Sequence, residues 1–327
     1  MKTTKLLALL LAALMLLALP SCSDGTDTVN VYYMTGTTGF GMAKLISDYA
    51  ENESFVFTSM QTNAVAVRDA LIAGEVDIAT LPTNAAAAAY NLTNGEIQIL
   101  AINTLGCLYL INNTGTKITS LSELDGKTVY VPSQNPTAIF KHICEANDLN
   151  VDIVSGMDAS AISAAIASPV KEGDVKIDYA VLPEPVATAT VTKAGAAGIT
   201  LTNDLDLTAE WNKIEPVNSL VQGCLVARRE FIEENPELIA DFLADYKASI
   251  EYLNHNVADA AQLLVNLGIF EGKAPIIQKA IPSCNVNYVD GEAMKSAMQT
   301  YLGVLLQVAP ASIGNALPTD GFYYLGK

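Results

Sequence analysis

DIATLPTNAAAA at Asp77–Ala88 and DYAVLPEPVATA at Asp178–Ala189 lie 101 positions apart and read alike: an apolar strand, a proline that breaks it, and an alanine-rich helix. The stretches before them also match in order. Ahead of the first copy come a strand at Val29 to Tyr33, the polar loop TGTTG, and helical apolar spacing at Met42, Leu45, Ile46 and Tyr49. A strand at Ser54 to Thr58, the turn SMQTN and a helix at Ala64 to Ala73 follow. Ahead of the second copy come a strand at Thr128 to Val131, the loop PSQNP and a helix from Ala138 to Cys144. Then come a strand at Val151 to Val154, the turn SGMDAS and a helix from Ala159 to Ala167. The chain therefore holds two similar β-α-β-α halves.

Strands alternating with helices imply an α/β fold with two mostly parallel sheets flanked by helices, and such sheets bind ligands beyond the carboxyl ends of their strands. TGTTG, SMQTN and LPTN from one half then oppose PSQNP, SGMDAS and LPEP from the other across a cleft. Further on, PVNSLVQGCLVAR at Pro216–Arg228 reads as a long strand, and Asn235-Pro236 as the start of a helix. The expected crossovers lie near Asn112–Thr116 and Asn218–Gly223. They divide the chain into a first lobe of residues 23–112 plus 219–327 and a second lobe of residues 113–218, with a hinge between.

Composition narrows the function. A formal net charge of −17, from 18 Lys and Arg against 35 Asp and Glu, argues against a nucleic-acid partner. Charged residues at 16% and hydrophobic residues at 50% exclude a disordered chain. Lys2, Lys5 and the 14 apolar residues Leu6–Leu19 read as an export signal over residues 1–22, too short to span a bilayer. LPSC at Leu19–Cys22 resembles the bacterial lipobox, which makes Cys22 the expected lipidation site and the extracytoplasmic face of the cell membrane the expected location. Cys107, Cys144, Cys224 and Cys284 show no CxxC spacing and read as buried thiols. His142 and His255 have no second ligand at helical spacing, so no metal or cofactor is expected.

TGTTGFGMAK at Thr35–Lys44, MQTNAVAVRDALIAGEVDIA at Met60–Ala79, LSELDGKTVYVP at Leu121–Pro132, AVLPEPVATA, and LVARREFIEENPELI at Leu225–Ile239 carry a family resemblance. Together they resemble the substrate-binding lipoproteins of ABC transporters, of the sulfonate, nitrate and thiamine-precursor (NMT1/THI5-like) group. The resemblance implies a two-lobed type II periplasmic-binding-protein fold and a monomer that captures a small molecule between its lobes. It also implies delivery to a permease and ATPase complex, without catalysis. The alternatives are an enzyme on the same scaffold, pyrimidine synthase or thiaminase-like, and a ligand-sensing partner of a membrane receptor.

The candidate ligand-binding residues sit in the cleft loops. Thr35, Gly36, Thr37, Thr38 and Gly39 place amides and hydroxyls at a helix start, where an anion or carbonyl oxygen is favoured. Gln61 and Asn63 offer neutral donors and acceptors, with Asn63 equally suited to capping; Thr83 and Asn84 carry the same ambiguity. Ser133, Gln134 and Asn135 are the second lobe's polar contacts. Glu184, stiffened between Pro183 and Pro185, is aimed at the cleft by the same reasoning. None of Arg68, Arg228 and Arg229 lies in these loops, so the expected ligand is a neutral or cationic, planar, amine- or amide-bearing heterocycle held by Glu184.

Overall fold

A computed structural model describes residues 28–170 and 175–326; the export signal and Cys22 lie outside the described residues. Among the described residues eleven strands form two sheets. Strands β1 (Val29–Tyr33), β2 (Phe55–Ser59), β3 (Ile78–Pro82) and β4 (Ile97–Leu105) belong to the first. Strands β5 (Leu108–Asn112), β6 (Thr128–Tyr130), β7 (Asp152–Val154), β8 (Tyr179–Pro183) and β9 (Thr202–Asp206) make the second. Strands β10 (Val221–Arg228) and β11 (Val286–Val289) return to the first.

The orders, β11-β4-β10-β3-β1-β2 and β7-β6-β8-β5-β9, reproduce the sequence repeat in space. β1, β2 and β3 of the first half correspond to β6, β7 and β8 of the second. In each sheet the middle strand pairs in parallel with its two companions. β10 and β5 then join β3 and β8 antiparallel, each being the strand by which the chain arrives from the other sheet. Both sheets are thus mixed rather than mostly parallel, because a strand that crosses directly between sheets enters the new one against its neighbours.

The first crossover lies earlier than Asn112–Thr116. β4 ends at Leu105 and β5 starts at Leu108, so the chain changes sheets at Gly106–Cys107 and Leu108–Asn112 is a wholly buried inner strand of the second sheet. The apolar run conceals the break. Gly106 makes it possible: a Cβ there would lie 2.3 Å from Thr208 Oγ1 and 2.5 Å from the Leu220 side chain, so only a bare backbone fits where the two crossovers meet. On the return, Pro216–Leu220 is a turn with Asn218 at φ 64°, and the strand begins only at Val221.

One apolar core runs through both sheets, taking Val67, Leu81 and Met298 from one side and Leu110, Ile139 and Val181 from the other. Helix Asn135–Ala146 packs on Gly291–Val308, and Val186–Ala196 on Ala274–Ala280, so the C-terminal helices also touch the second lobe. Trp211 is core: it is fully buried and its Nε1 donates to Ser219 Oγ at 2.8 Å. Cys107, Cys144, Cys224 and Cys284 are free and buried. No helix among the described residues is long and apolar enough to cross a membrane.

Candidate functional site

The carboxyl ends of β1, β2, β3, β6 and β8 converge on a cleft of about 450 Å³ between the sheets. Thr37 and Thr38, Pro82 and Asn84 come from the first sheet's loops, and Ser133, Gln134, Asn135 and Pro183 from the second's. Cys107 and Gln222, from the crossover and from β10, form the floor. Ala311 and Ser312 close one side. The volume is within the range usual for small-molecule sites.

Buried polar groups beneath the cleft hold its loops in place. Asn103 Nδ2 donates to Thr38 O at 3.0 Å and Thr104 Oγ1 to Thr37 O at 3.3 Å, which pins the short helix Thr37–Phe40 to β4. Gln222 Oε1 accepts from the Cys107 amide at 2.8 Å. Across the cleft, Asn135 Nδ2 donates to Asn84 Oδ1 at 2.6 Å and Asn84 Nδ2 donates to Ser312 O at 3.3 Å. The Cys107 thiol is pushed up to about 12, chiefly by burial, so it is a neutral group at physiological pH.

Of the residues singled out from the sequence, Thr37, Thr38, Asn84, Ser133, Gln134 and Asn135 come together in this lining. The others do not. Asn63 caps its own helix, accepting from Ala66 N at 3.1 Å, and Thr83 is fully buried with its hydroxyl on Val221 O at 2.7 Å. Gln61 is exposed at φ 50°, and its carbonyl receives the Thr35 amide at 2.8 Å, so both serve the turn itself. The Gly36 amide goes to Ile269 O at 3.2 Å. Gly39 is a packing residue: a Cβ there would lie 1.7 Å from Met34 O.

Glu184 departs furthest from expectation. Its side chain turns back on its own chain, where Oε2 accepts from Thr188 N at 3.1 Å and Oε1 from Thr188 Oγ1 at 2.8 Å. It is only 3% exposed and is not part of the cleft lining. The free amides of a helix start claim the carboxylate, which the stiff proline pair delivers to them. Burial raises its pKa, against the opposing pull of Thr188 and Lys279.

Sequence reasoning confined to loops missed Arg68, the sole charged residue in the lining among the described residues. Arg68 follows Ala64 and Val65 at spacings of four and three, which bring it beside them one turn further along, so the loop's reach extends a full turn into helix Ala64–Ala73. Arg68 is 29% exposed and shares its Nε and one terminal nitrogen with Asp69 Oδ1, at 3.0 and 2.7 Å, leaving other N–H groups free. Gln222 and Cys107 were likewise outside the loops considered.

The NMT1/THI5 like family model matches residues 56–260, more than half of the chain. The chain belongs to the NMT1/THI5-like family. Among curated protein sequences, none matches it. An ABC transporter from Parabacteroides distasonis superposes with a TM-score of 0.73 at 22% identity, over 91% of this chain and 99% of that one. The periplasmic aliphatic sulphonate binding protein SsuA from Escherichia coli gives 0.68 at 15%, over 92% and 93%. The zinc-bound ligand-binding component of an ABC-type import system from Staphylococcus aureus gives 0.66 at 14%, over 91% and 96%. At these identities the likeness is one of fold: this NMT1/THI5-like protein has the two-lobed architecture of the periplasmic binding proteins. Among its described residues no group of His, Cys, Asp and Glu is placed to hold a metal ion.

Proposed function

We propose that this NMT1/THI5-like protein is the extracytoplasmic solute-binding protein of an ABC importer. It captures a small molecule in the interlobe cleft and passes it to a permease and ATPase complex without altering it. The observation that carries this reading is the cleft itself: polar side chains from both repeated halves face one small volume at the carboxyl ends of their strands. Its one thiol, Cys107, is held protonated, and the lining contributes no carboxylate or imidazole to activate it. The ABC-transporter proteins that share the fold support the same role. Export and lipidation at Cys22, read from the sequence, complete it as a monomer tethered to the outer face of the cell membrane.

Thr37, Thr38, Asn84, Ser133, Gln134, Asn135, Gln222 and Arg68 are the proposed ligand contacts. Both grounds for a neutral or cationic ligand are gone, since Glu184 faces away from the cleft lining and an arginine is in it. A small molecule with an anionic or strongly accepting group fits better, because Arg68 offers it a guanidinium in a lining that has no negative charge to oppose it. Sulfonates, named for the Escherichia coli neighbour, belong in the test on that ground. Natively purified protein is analysed by mass spectrometry for released small molecules and by thermal shift against sulfonates, carboxylates, pyrimidines and amines. Stabilisation by unmodified, recoverable anions supports the reading; conversion of a bound compound into a product, or stabilisation by amines alone, overturns it.

A further inference from the structure

Helix Thr83–Leu92 is buried except for its last residue and one open strip, Asn84, Ala85, Ala88 and Asn91. The two asparagines grip the chain that crosses above them: Asn84 Nδ2 donates to Ser312 O at 3.3 Å, and Asn91 Nδ2 to Ile313 O and Ala316 O, both at 2.8 Å. Ala85 and Ala88, with no polar side-chain atom, line the cavity. So do Ala64, Val65 and Arg68 of helix Ala64–Ala73, which packs beside this helix, and Ala311 of the crossing chain. All six are half-buried or exposed, so a molecule in the cavity reaches them. Val65 is a large hydrophobic side chain left 57% exposed. At the far end Gly314 lies against Ala88, where a Cβ on the glycine would stand 3.6 Å from Ala88 Cα. From Asn84 to Ala88 this apolar wall is one helical turn long, about 5–6 Å.

We infer that this wall is a compartment for an apolar stem: the acid proposed for Arg68 carries a chain that lies over Val65, Ala85 and Ala88. This rests on the cleft being an acid-binding site, as proposed above, and narrows its substrate class to acids with a stem of about four to six carbon atoms, the length of one helical turn. Such a stem takes Val65 and the alanine methyls out of water, and the wall has no side-chain hydrogen bonds to lose in exchange. Val65 and Ala88 are therefore the specificity residues. Val65 supplies the largest apolar area, and Ala88, with Gly314 against it, sets the depth. Nitrate and one-carbon acids leave the wall bare and are incomplete ligands.

The test uses straight-chain alkanesulfonates from methanesulfonate to octanesulfonate and carboxylates from acetate to octanoate. Affinities are measured by calorimetry for the mature wild-type protein, Val65→Ser and Ala88→Leu. Wild-type affinity should rise about 2- to 4-fold with each added methylene, the range for a partly to fully buried one, and level off beyond about six carbons. Val65→Ser should make the rise shallower, and Ala88→Leu, which fills the compartment, should end it at a shorter chain. Reading the slope within one protein cancels any general loss of affinity. Val65 stands on the surface, so Val65→Ser decides the matter if Ala88→Leu fails to fold. A flat wild-type series, a rise that continues undiminished to eight carbons, or a slope unchanged in Val65→Ser overturns the inference while leaving the binding role intact. If no member of either series binds, the acid-binding reading of the cleft falls, and this inference with it.

Discussion

Asn135 and Asn84 touch across the cleft, and each stands in the first turn of a helix hung from a different sheet: Asn84 in Thr83–Leu92 after β3, Asn135 in Asn135–Ala146 after β6. This 2.6 Å contact joins the two rims directly. Asn84→Ala removes it and leaves the part-buried Asn135 Nδ2 unpaired in the closed form alone. The expected result is a shift towards an open form and a loss of about 1 kcal/mol, roughly 5-fold in affinity, for every ligand alike. Small-angle scattering of the free protein, with a calorimetric titration beside it, reads both effects. An unchanged radius of gyration and affinity would show that the contact does not hold the lobes together.

Arg68 separates binding from stability. Its pair with Asp69 is solvent-accessible and worth little to the fold, so Arg68→Met should change the melting temperature only slightly. Ligand affinity should fall by about 1.5–3 kcal/mol, the range for a hydrogen bond to a charged group. Arg68→Lys keeps the charge but loses the planar fork, and its affinity should fall between the two. Thermal shift with a bound acid reports all three proteins.

The repeat was legible because Pro82 and Pro183 end matching buried strands, and a proline followed by alanine-rich helix is a local signal. Asn84 and Asn135 were legible for the same reason: they stand at strand ends. The crossover at Gly106 was not, since its cause is a long-range approach of Thr208 and Leu220 that no pattern within the run 97–112 reveals. Arg68 was missed for a simpler reason, the restriction to loops, although the helical period from Ala64 points to it. Glu184 misled because the proline pair fixes its backbone and not its side chain, and Thr188 amide and hydroxyl settle where the carboxylate goes.

Gly39 was read as a ligand contact, and its surroundings give a different expectation. A Cβ 1.7 Å from Met34 O meets backbone, which cannot step aside as a side chain can. Gly39→Ala should therefore cost more than about 3 kcal/mol of stability or prevent folding. Gly36→Ala has open space around it, but φ 81° and ψ −166° lie in a region essentially reserved for glycine, so it should cost about 1–3 kcal/mol through backbone strain alone. Denaturant melts of the two variants compare them; equal stability would contradict the packing role.

Cys22→Ala tests the anchor. Two acyl chains hold a protein stably on a bilayer where one does not, and the lipobox reading attaches them to this thiol. The variant should either retain its signal and run larger on a gel or leave the membrane fraction. A variant that fractionates and migrates as the wild type does would exclude lipidation at Cys22.

Glu184 gives a pH prediction of definite sign. Burial raises its pKa above the ordinary 4.5, so the folded state holds this proton more tightly than the unfolded chain. The stability that follows is fully present below 4.5 and is lost as pH rises through the folded value. As pH rises through the folded value the carboxylate takes up its charge in a buried site, compensated only in part by Thr188 and by Lys279. Glu184→Gln removes the charge and keeps an acceptor for the Thr188 amide, so the variant should melt at a higher temperature than the wild type near pH 7. The gap should shrink as both are acidified below the folded value, where the wild-type group is neutral too. Comparing the two proteins cancels the general relief of repulsion that acid gives a chain of net charge −17. Affinity for acids should be unchanged in the variant, because Glu184 faces Thr188 and not the cleft lining. A variant that melts lower at pH 7, or binds its ligand several-fold more weakly, would return Glu184 to the binding site.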